Sequence, residues 1–191
     1  MPTVKTSQSH PLQINEVAVS GTGGIIGLTF CPGKKHTGLH AGAWNRDLRV
    51  DLQTIHAFGA TALVTLMESH ELEKVAVPVG ILKDQTRQLG LEWHHLPIKD
   101  VSIPDDRFEH AWGESGLRLR SILAAGGKIV VHCLGGLGRT GTVAGRLLVE
   151  FGDAPETAIA KIRAARPGSI ETPEQEKYVN NCKPIRSGSS G

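Results

Sequence analysis

The stretch Val130-Val131-His132-Cys133-Leu134-Gly135-Gly136-Leu137-Gly138-Arg139-Thr140-Gly141 constrains this chain more than any other. An apolar run ends at a cysteine, three glycines crowd the next five positions, and an arginine stands six places after the cysteine. Beyond it Val143, Leu147 and Leu148 recur at helical spacing. The pattern reads as a buried strand, a tight turn and a helix. Such a turn belongs to an α/β fold, and it opens at the carboxyl end of its strand, where α/β sheets place their sites.

The residue types say what the turn can hold. Gly135, Gly136 and Gly138 let successive N–H groups converge on one point, which makes a nest for an anion. The helix that follows adds its positive end. Arg139 can reach back across the loop and grip two oxygens with its planar fork, where lysine would offer only charge. Helix N-termini and nearby cations lower a cysteine pKa from near 8.5 to about 3.5–7.5. Cys133 is therefore expected to act as a thiolate that attacks phosphorus, with Thr140 donating to its sulfur. His132 is expected to order the loop rather than to take a proton, since an ionised cysteine needs no neighbouring base. A departing oxygen still needs a proton. Asp100 stands just past another strand and is the expected acid, with Asp105 and Asp106 as rivals.

Composition narrows the class. At 191 residues, with 39% hydrophobic and 21% charged residues, one soluble domain is expected. A formal charge of +2 with no basic run argues against nucleic acid. Neither an apolar stretch long enough for a membrane nor a signal-peptide core is visible. Cys31, Cys133 and Cys182 are far apart and odd in number, which points away from disulfides and zinc and toward a reducing, cytoplasmic setting.

Residues 1–12 read as a flexible arm, 13–182 as the domain and 183–191 as a flexible, linker-like tail. Residues 14–19 and 25–30 suggest a hairpin about Gly21-Thr22-Gly23-Gly24. Those glycines do not complete a dinucleotide-binding fingerprint, because Ile26 takes the last glycine's place. A loop is expected from Cys31 to Gly42, with His36 and His40 as ordinary loop histidines. Helices are expected from a cap at Asn45 or Asp47 to about 58, and over 78–89, 108–125, 140–151, 155–166 and 174–181, the fifth capped by Asp153. Strands are expected over 61–67, 91–98 and 128–132. Adjacent His94 and His95 should point to opposite faces, one packed and one exposed. Strands alternating with helices indicate a mainly parallel sheet.

His132-Cys133-x5-Arg139-Thr140-Gly141 resembles the signature of the cysteine-dependent protein phosphatase superfamily. Within it the chain is similar to the dual-specificity branch, above all the kinase-associated phosphatase type. The likeness runs from about residue 25 to 179 and is strongest in His95-Leu96-Pro97-Ile98-Lys99-Asp100 and in the loop itself. It implies a single α/β domain whose sheet of about five strands is flanked by helices, with no metal and no organic cofactor. It implies hydrolysis of phosphotyrosine, and of phosphoserine or phosphothreonine, on a phosphorylated protein. Cys133, Arg139, Thr140 and Asp100 inherit the nucleophile, phosphate-binding, leaving-group and acid roles, and the backbone of Leu134, Gly135, Gly136, Leu137 and Gly138 inherits the cradle. Related enzymes often place a water with a glutamine after the last helix but one. Here Glu171 takes its first position, leaving either Glu171 turned away or Gln175 in that role. Val101-Ser102 stands where kinase-associated phosphatases favour glycines.

Three other readings compete. An inositol-lipid or small-molecule phosphatase often carries lysines inside the loop, whereas Leu134 and Leu137 bring no charge. A phosphoprotein-binding pseudophosphatase typically loses the cysteine, arginine or acid, and all three are present. Sulfur transfer of the rhodanese kind fits Asp100 and Arg139-Thr140-Gly141 less well.

Overall fold

A computed structural model describes residues 4–38 and 42–185. Five strands form the main sheet: β1 (Asn15–Ala18), β2 (Ile25–Phe30), β5 (Ala60–Thr65), β6 (Glu92–His95) and β7 (Lys128–Cys133), in the order β1-β2-β7-β5-β6. Only β1 runs antiparallel, as the expected hairpin partner of β2. The other pairings are parallel. Ile129, Val130 and Val131 are all fully buried, so β7 is covered on both faces, as a central parallel strand must be.

Among the described residues seven helices pack around this sheet: α1 (Leu48–Ala57), α2 (Ser69–Lys74), α3 (Val79–Gln88), α4 (Asp106–Ala124), α5 (Gly138–Glu150), α6 (Pro155–Ala165) and α7 (Pro173–Asn181). Their starts follow from local chemistry. Asp47 caps α1 by accepting from the Val50 N–H, and Asp105 caps α4 by accepting from the Phe108 N–H. Thr172 and Gln175 close a capping box on α7. At α6 Pro155 opens the helix as expected, but the N-cap is Ala154. The Asp153 carboxylate is turned instead to Lys161, 2.8 Å away.

Several expectations need correction. The stretch read as a loop from Cys31 contains a small hairpin, β3 (Lys35–Gly38) with β4 (Gly42–Asn45). His36 pairs in it with Trp44, and His40 lies outside the described residues. The described part of the flexible arm is packed: Lys5 pairs with β4 through Trp44, Ser7 is buried, and Leu12 joins the core. Of the tail, Ile185 donates to the Glu150 carbonyl at 3.0 Å, and residues 186–191 lie outside the described part. β5 and β6 end sooner than expected, at Thr65 and His95. Both His94 and His95 are partly buried, on separate partners: His94 Nδ1 lies 3.1 Å from Ser115 Oγ, and His95 Nε2 lies 2.8 Å from the Met67 carbonyl. Edge strand β6 is thus covered at both positions.

Candidate active site

β7 delivers Cys133 between β2 and β5, at the carboxyl ends of three parallel strands. The loop to α5 is then set by where its carbonyls go. The Leu134 carbonyl accepts from the Cys31 N–H at 3.3 Å and from Lys34 Nζ at 3.2 Å. The Gly135 and Gly136 carbonyls accept from Arg166, and the Leu137 carbonyl accepts from Gly141 and Ile170. All four acceptors are used outside the loop. The N–H groups of Leu134, Gly135 and Leu137 take no acceptor among the described residues, while that of Gly136 donates to Cys133 Sγ at 3.2 Å. Gly136 sits at φ +72°, and a Cβ there would lie 2.3 Å from the Thr29 carbonyl, so only glycine fits.

Arg139 is buried behind this cradle. Its Nη1 donates to Glu71 Oε2 at 2.7 Å and to the Ile98 carbonyl at 3.0 Å, and its Nη2 donates to Glu71 Oε1 at 3.0 Å. Of the five guanidinium N–H groups, the pair on the Nε–Nη2 edge is left for an anion. Asp100 Oδ1 forms an ion pair with Nη2 at 2.9 Å. Of the two rivals of Asp100, Asp105 is engaged as the cap of α4, and Asp106 is the first residue of that helix. Thr140 is fully buried, and its hydroxyl makes no hydrogen bond, to Cys133 or to any other described group.

A family model described as "PTP-SAK: Swiss Army Knife protein, DSP-PTPase phosphatase domain" matches residues 41–179. This chain belongs to the dual-specificity phosphatase family. Cyclin-dependent kinase inhibitor 3 from Rattus norvegicus is 31% identical over 181 residues, covering 92% of this chain and 81% of the relative. Tyrosine-protein phosphatase CDC14 from Saccharomyces cerevisiae is 43% identical over 94 residues, 49% of this chain and 16% of that protein. A solved kinase associated phosphatase, its catalytic-site cysteine replaced by serine, superposes with a TM-score of 0.77 at 30% identity, over 88% of this chain and 92% of that one. The five-stranded, mostly parallel sheet with flanking helices is the family's fold.

In this dual-specificity phosphatase His132 lies beneath the loop in a relay that fixes its tautomer. Nδ1 lies 3.4 Å from the Cys133 carbonyl, which can only accept, so Nδ1 carries the proton. Nε2 then accepts from the Thr65 hydroxyl at 2.8 Å, and Thr65 Oγ1 accepts from Trp93 Nε1 at 3.0 Å. Burial pushes the His132 pKa down to about 3, the charges of Arg139 and His95 add to this, and the Cys133 carbonyl opposes it. The ring is neutral and orders the strand end.

Gln175 is fully buried with both ends in use. Its Oε1 accepts from the Glu171 N–H at 2.9 Å and the Thr172 N–H at 3.3 Å, while Nε2 donates to the Ser102 carbonyl at 3.1 Å. It therefore ties α7 to the loop that carries Asp100. Glu171 is exposed, yet its carboxylate lies against the first turn of α5: a Cβ on Gly138 would stand 2.3 Å from Oε2. It is not turned away from the phosphate loop.

Two site residues were not singled out from the sequence. Glu71 holds Arg139 from α2. Burial raises its pKa, but the Arg139 hydrogen bonds, a Glu68 backbone bond and nearby positive charge outweigh this and leave it below the usual carboxylate range. Arg166 holds two loop carbonyls from the end of α6. The Glu68-x-x-Glu71 capping box opens α2 but lacks the Ser or Thr that marks such a start in a sequence. The Arg166-Pro167-Gly168 run marked a helix end and nothing more.

Proposed function

We propose that this protein hydrolyses phosphomonoesters on phosphorylated proteins, phosphotyrosine and also phosphoserine or phosphothreonine, through a phosphocysteine at Cys133. The observation that carries this reading is the open cradle of loop N–H groups between Cys133 Sγ and the Nε–Nη2 edge of Arg139. A phosphate in that cradle places phosphorus next to sulfur and its equatorial oxygens on fixed donors, where charge is held in the transition state.

The Cys133 thiolate attacks phosphorus as the ester P–O bond breaks, and the leaving oxygen takes a proton from Asp100. Asp100 then takes a proton from water, which attacks phosphorus, breaks the P–S bond and frees inorganic phosphate. The Gly136 N–H is the donor that supports the departing sulfur. Asp100 Oδ1 pairs with Arg139 Nη2 at 2.9 Å. Phosphate gripped by Arg139 neutralises that charge and frees the carboxyl to turn toward the leaving oxygen.

The uncharged Leu134 and Leu137 favour a singly phosphorylated group over a polyphosphorylated inositol. The partner is a phosphorylated protein of unspecified identity. Three free thiols support a reducing, cytoplasmic setting.

The test is p-nitrophenyl phosphate hydrolysis in EDTA with reductant, wild type against Cys133→Ser. Turnover in the wild type and none in the variant is the expected result. Equal turnover in both removes Cys133 as nucleophile and overturns the reading.

A further inference from the structure

We infer that Arg166 is a positioning residue for the phosphate loop, acting from outside the site through the two peptide carbonyls it holds. The inference rests on the phosphatase reading and deepens it.

The local sequence explains how it gets there. Pro167 disfavours the helical conformation in the residue before it. Arg166 accordingly leaves α6 as its C-cap, with φ −140° and ψ 92°. Its side chain is thereby free of the helix direction and crosses to the loop. Nε donates to the Gly136 carbonyl at 2.7 Å, Nη2 to the Gly135 carbonyl at 2.9 Å, and Nη1 to Asn15 Oδ1 at 2.7 Å. Asn15 is the first residue of β1, so the guanidinium is braced against the sheet.

The consequence follows from the peptide unit itself. A carbonyl held outward in a planar peptide points the next residue's N–H the opposite way. Fixing the carbonyls of Gly135 and Gly136 therefore fixes the N–H groups of Gly136 and Leu137. One of these already donates to Cys133 Sγ, and the other is free to meet phosphate. A cation on the carbonyl end also polarises both peptides in the sense that strengthens their N–H donors. Arg166 thus stands to the backbone cradle as Glu71 stands to Arg139. Glycine-rich turns are the segments least able to hold such an orientation unaided.

The experiment compares kcat, KM and vanadate inhibition for wild type, Arg166→Met, Arg166→Lys and Asn15→Ala, with melting temperature measured alongside. A lost oxyanion donor costs about 10²–10³ in kcat, and loosening two donors without removing them should cost about tenfold or more. Arg166→Met is expected to lower kcat by that factor and to weaken vanadate inhibition in parallel, with KM within about twofold, the mark of an interaction made in the transition state. Arg166→Lys restores the charge but not the fork, so it recovers only part of the loss. Asn15→Ala keeps both carbonyl bonds and frees the brace. It should show the same signature at about two- to fivefold, and it serves alone if Arg166→Met does not fold. A lower melting temperature with kcat and vanadate inhibition unchanged in Arg166→Met, or in Asn15→Ala where that variant serves alone, reduces Arg166 to a packing residue and overturns the inference. A wild type that neither turns over substrate nor binds vanadate is the different result, and it sinks the phosphatase reading instead.

Discussion

His132 shows how a residue beside the nucleophile serves without exchanging a proton. Its Nε2 accepts from Thr65, whose own oxygen is occupied by the Trp93 N–H. Protonating Nε2 would set two donors against one hydroxyl oxygen and leave the hydroxyl hydrogen without its acceptor. A histidine titrates near 6.5 in the unfolded chain. In the folded protein burial holds His132 at about 3. Between those values the unfolded chain binds the extra proton, so stability rises with pH. The contribution is complete above about pH 6.5 and is lost as pH falls toward 3. At about 1.4 kcal/mol per pH unit, the loss from pH 8 to pH 5 should be about 2 kcal/mol. Urea unfolding of wild type and His132→Asn at both pH values measures it. Parallel pH slopes in the two proteins would show that another group carries the acid sensitivity.

At the scale of elements, the strand, loop and helix around Cys133 were legible because each carries a strong local signal: Ile129 to Val131 as a continuous apolar run, three glycines in the loop with Gly136 at the position where φ turns positive, and Val143 and Leu147 at helical spacing. α2 was not, since its six residues Ser69–Lys74 are too few and too charged to show a period, and only Leu72 is buried. Yet α2 supplies Glu71, the residue that aims Arg139. The β3–β4 hairpin escaped for a related reason: four-residue strands such as Lys-His-Thr-Gly lack an apolar alternation. Asp100 was legible as a residue, but its coupling to α7 was not. That coupling runs through Gln175 Nε2 and the Ser102 carbonyl, beside a Val101 held at φ 58°. A β-branched residue in that region costs on the order of 1–2 kcal/mol, so the loop needs anchors to keep its shape. Gln175→Leu should therefore mimic a weakened acid. Asp100→Asn is expected to lose about 10²-fold on phenyl phosphates with poor leaving groups and far less on good ones. Gln175→Leu should show the same bias at roughly a tenth of the size. An even loss across leaving groups in the Gln175 variant would mean that the tether serves α7 alone.

At the scale of the whole molecule, the fold joins segments that no local sequence pattern links. Arg46 and Asp51 are both fully buried and meet twice at 2.7 Å, Nε to Oδ2 and Nη2 to Oδ1. Arg46 Nη1 reaches the His10 carbonyl, and Asp51 Oδ2 accepts from the Gly33 N–H at 2.8 Å. One ion pair thereby gathers the N-terminal segment, the turn after β2, the end of β4 and the first turn of α1. This is why residues 4–12 pack rather than trail, although their composition reads as an arm. The same turn leads into Lys34, whose Nζ holds the Leu134 carbonyl of the phosphate loop. Burial lowers the Lys34 pKa, partly offset by Cys31, and the ammonium lies over the Phe30 and Trp44 rings. Removing one partner of a buried pair leaves the other charge without compensation, at about 3–5 kcal/mol, whereas removing both at similar volume is often near neutral. Asp51→Ala should lower stability by that amount in urea unfolding. Arg46→Met with Asp51→Leu should recover most of it, because the uncompensated charge has gone. If the double variant is as unstable as the single one, the pair matters for the backbone groups it satisfies at Gly33 and His10 rather than for its charge, and the phosphate loop should then lose vanadate affinity in both.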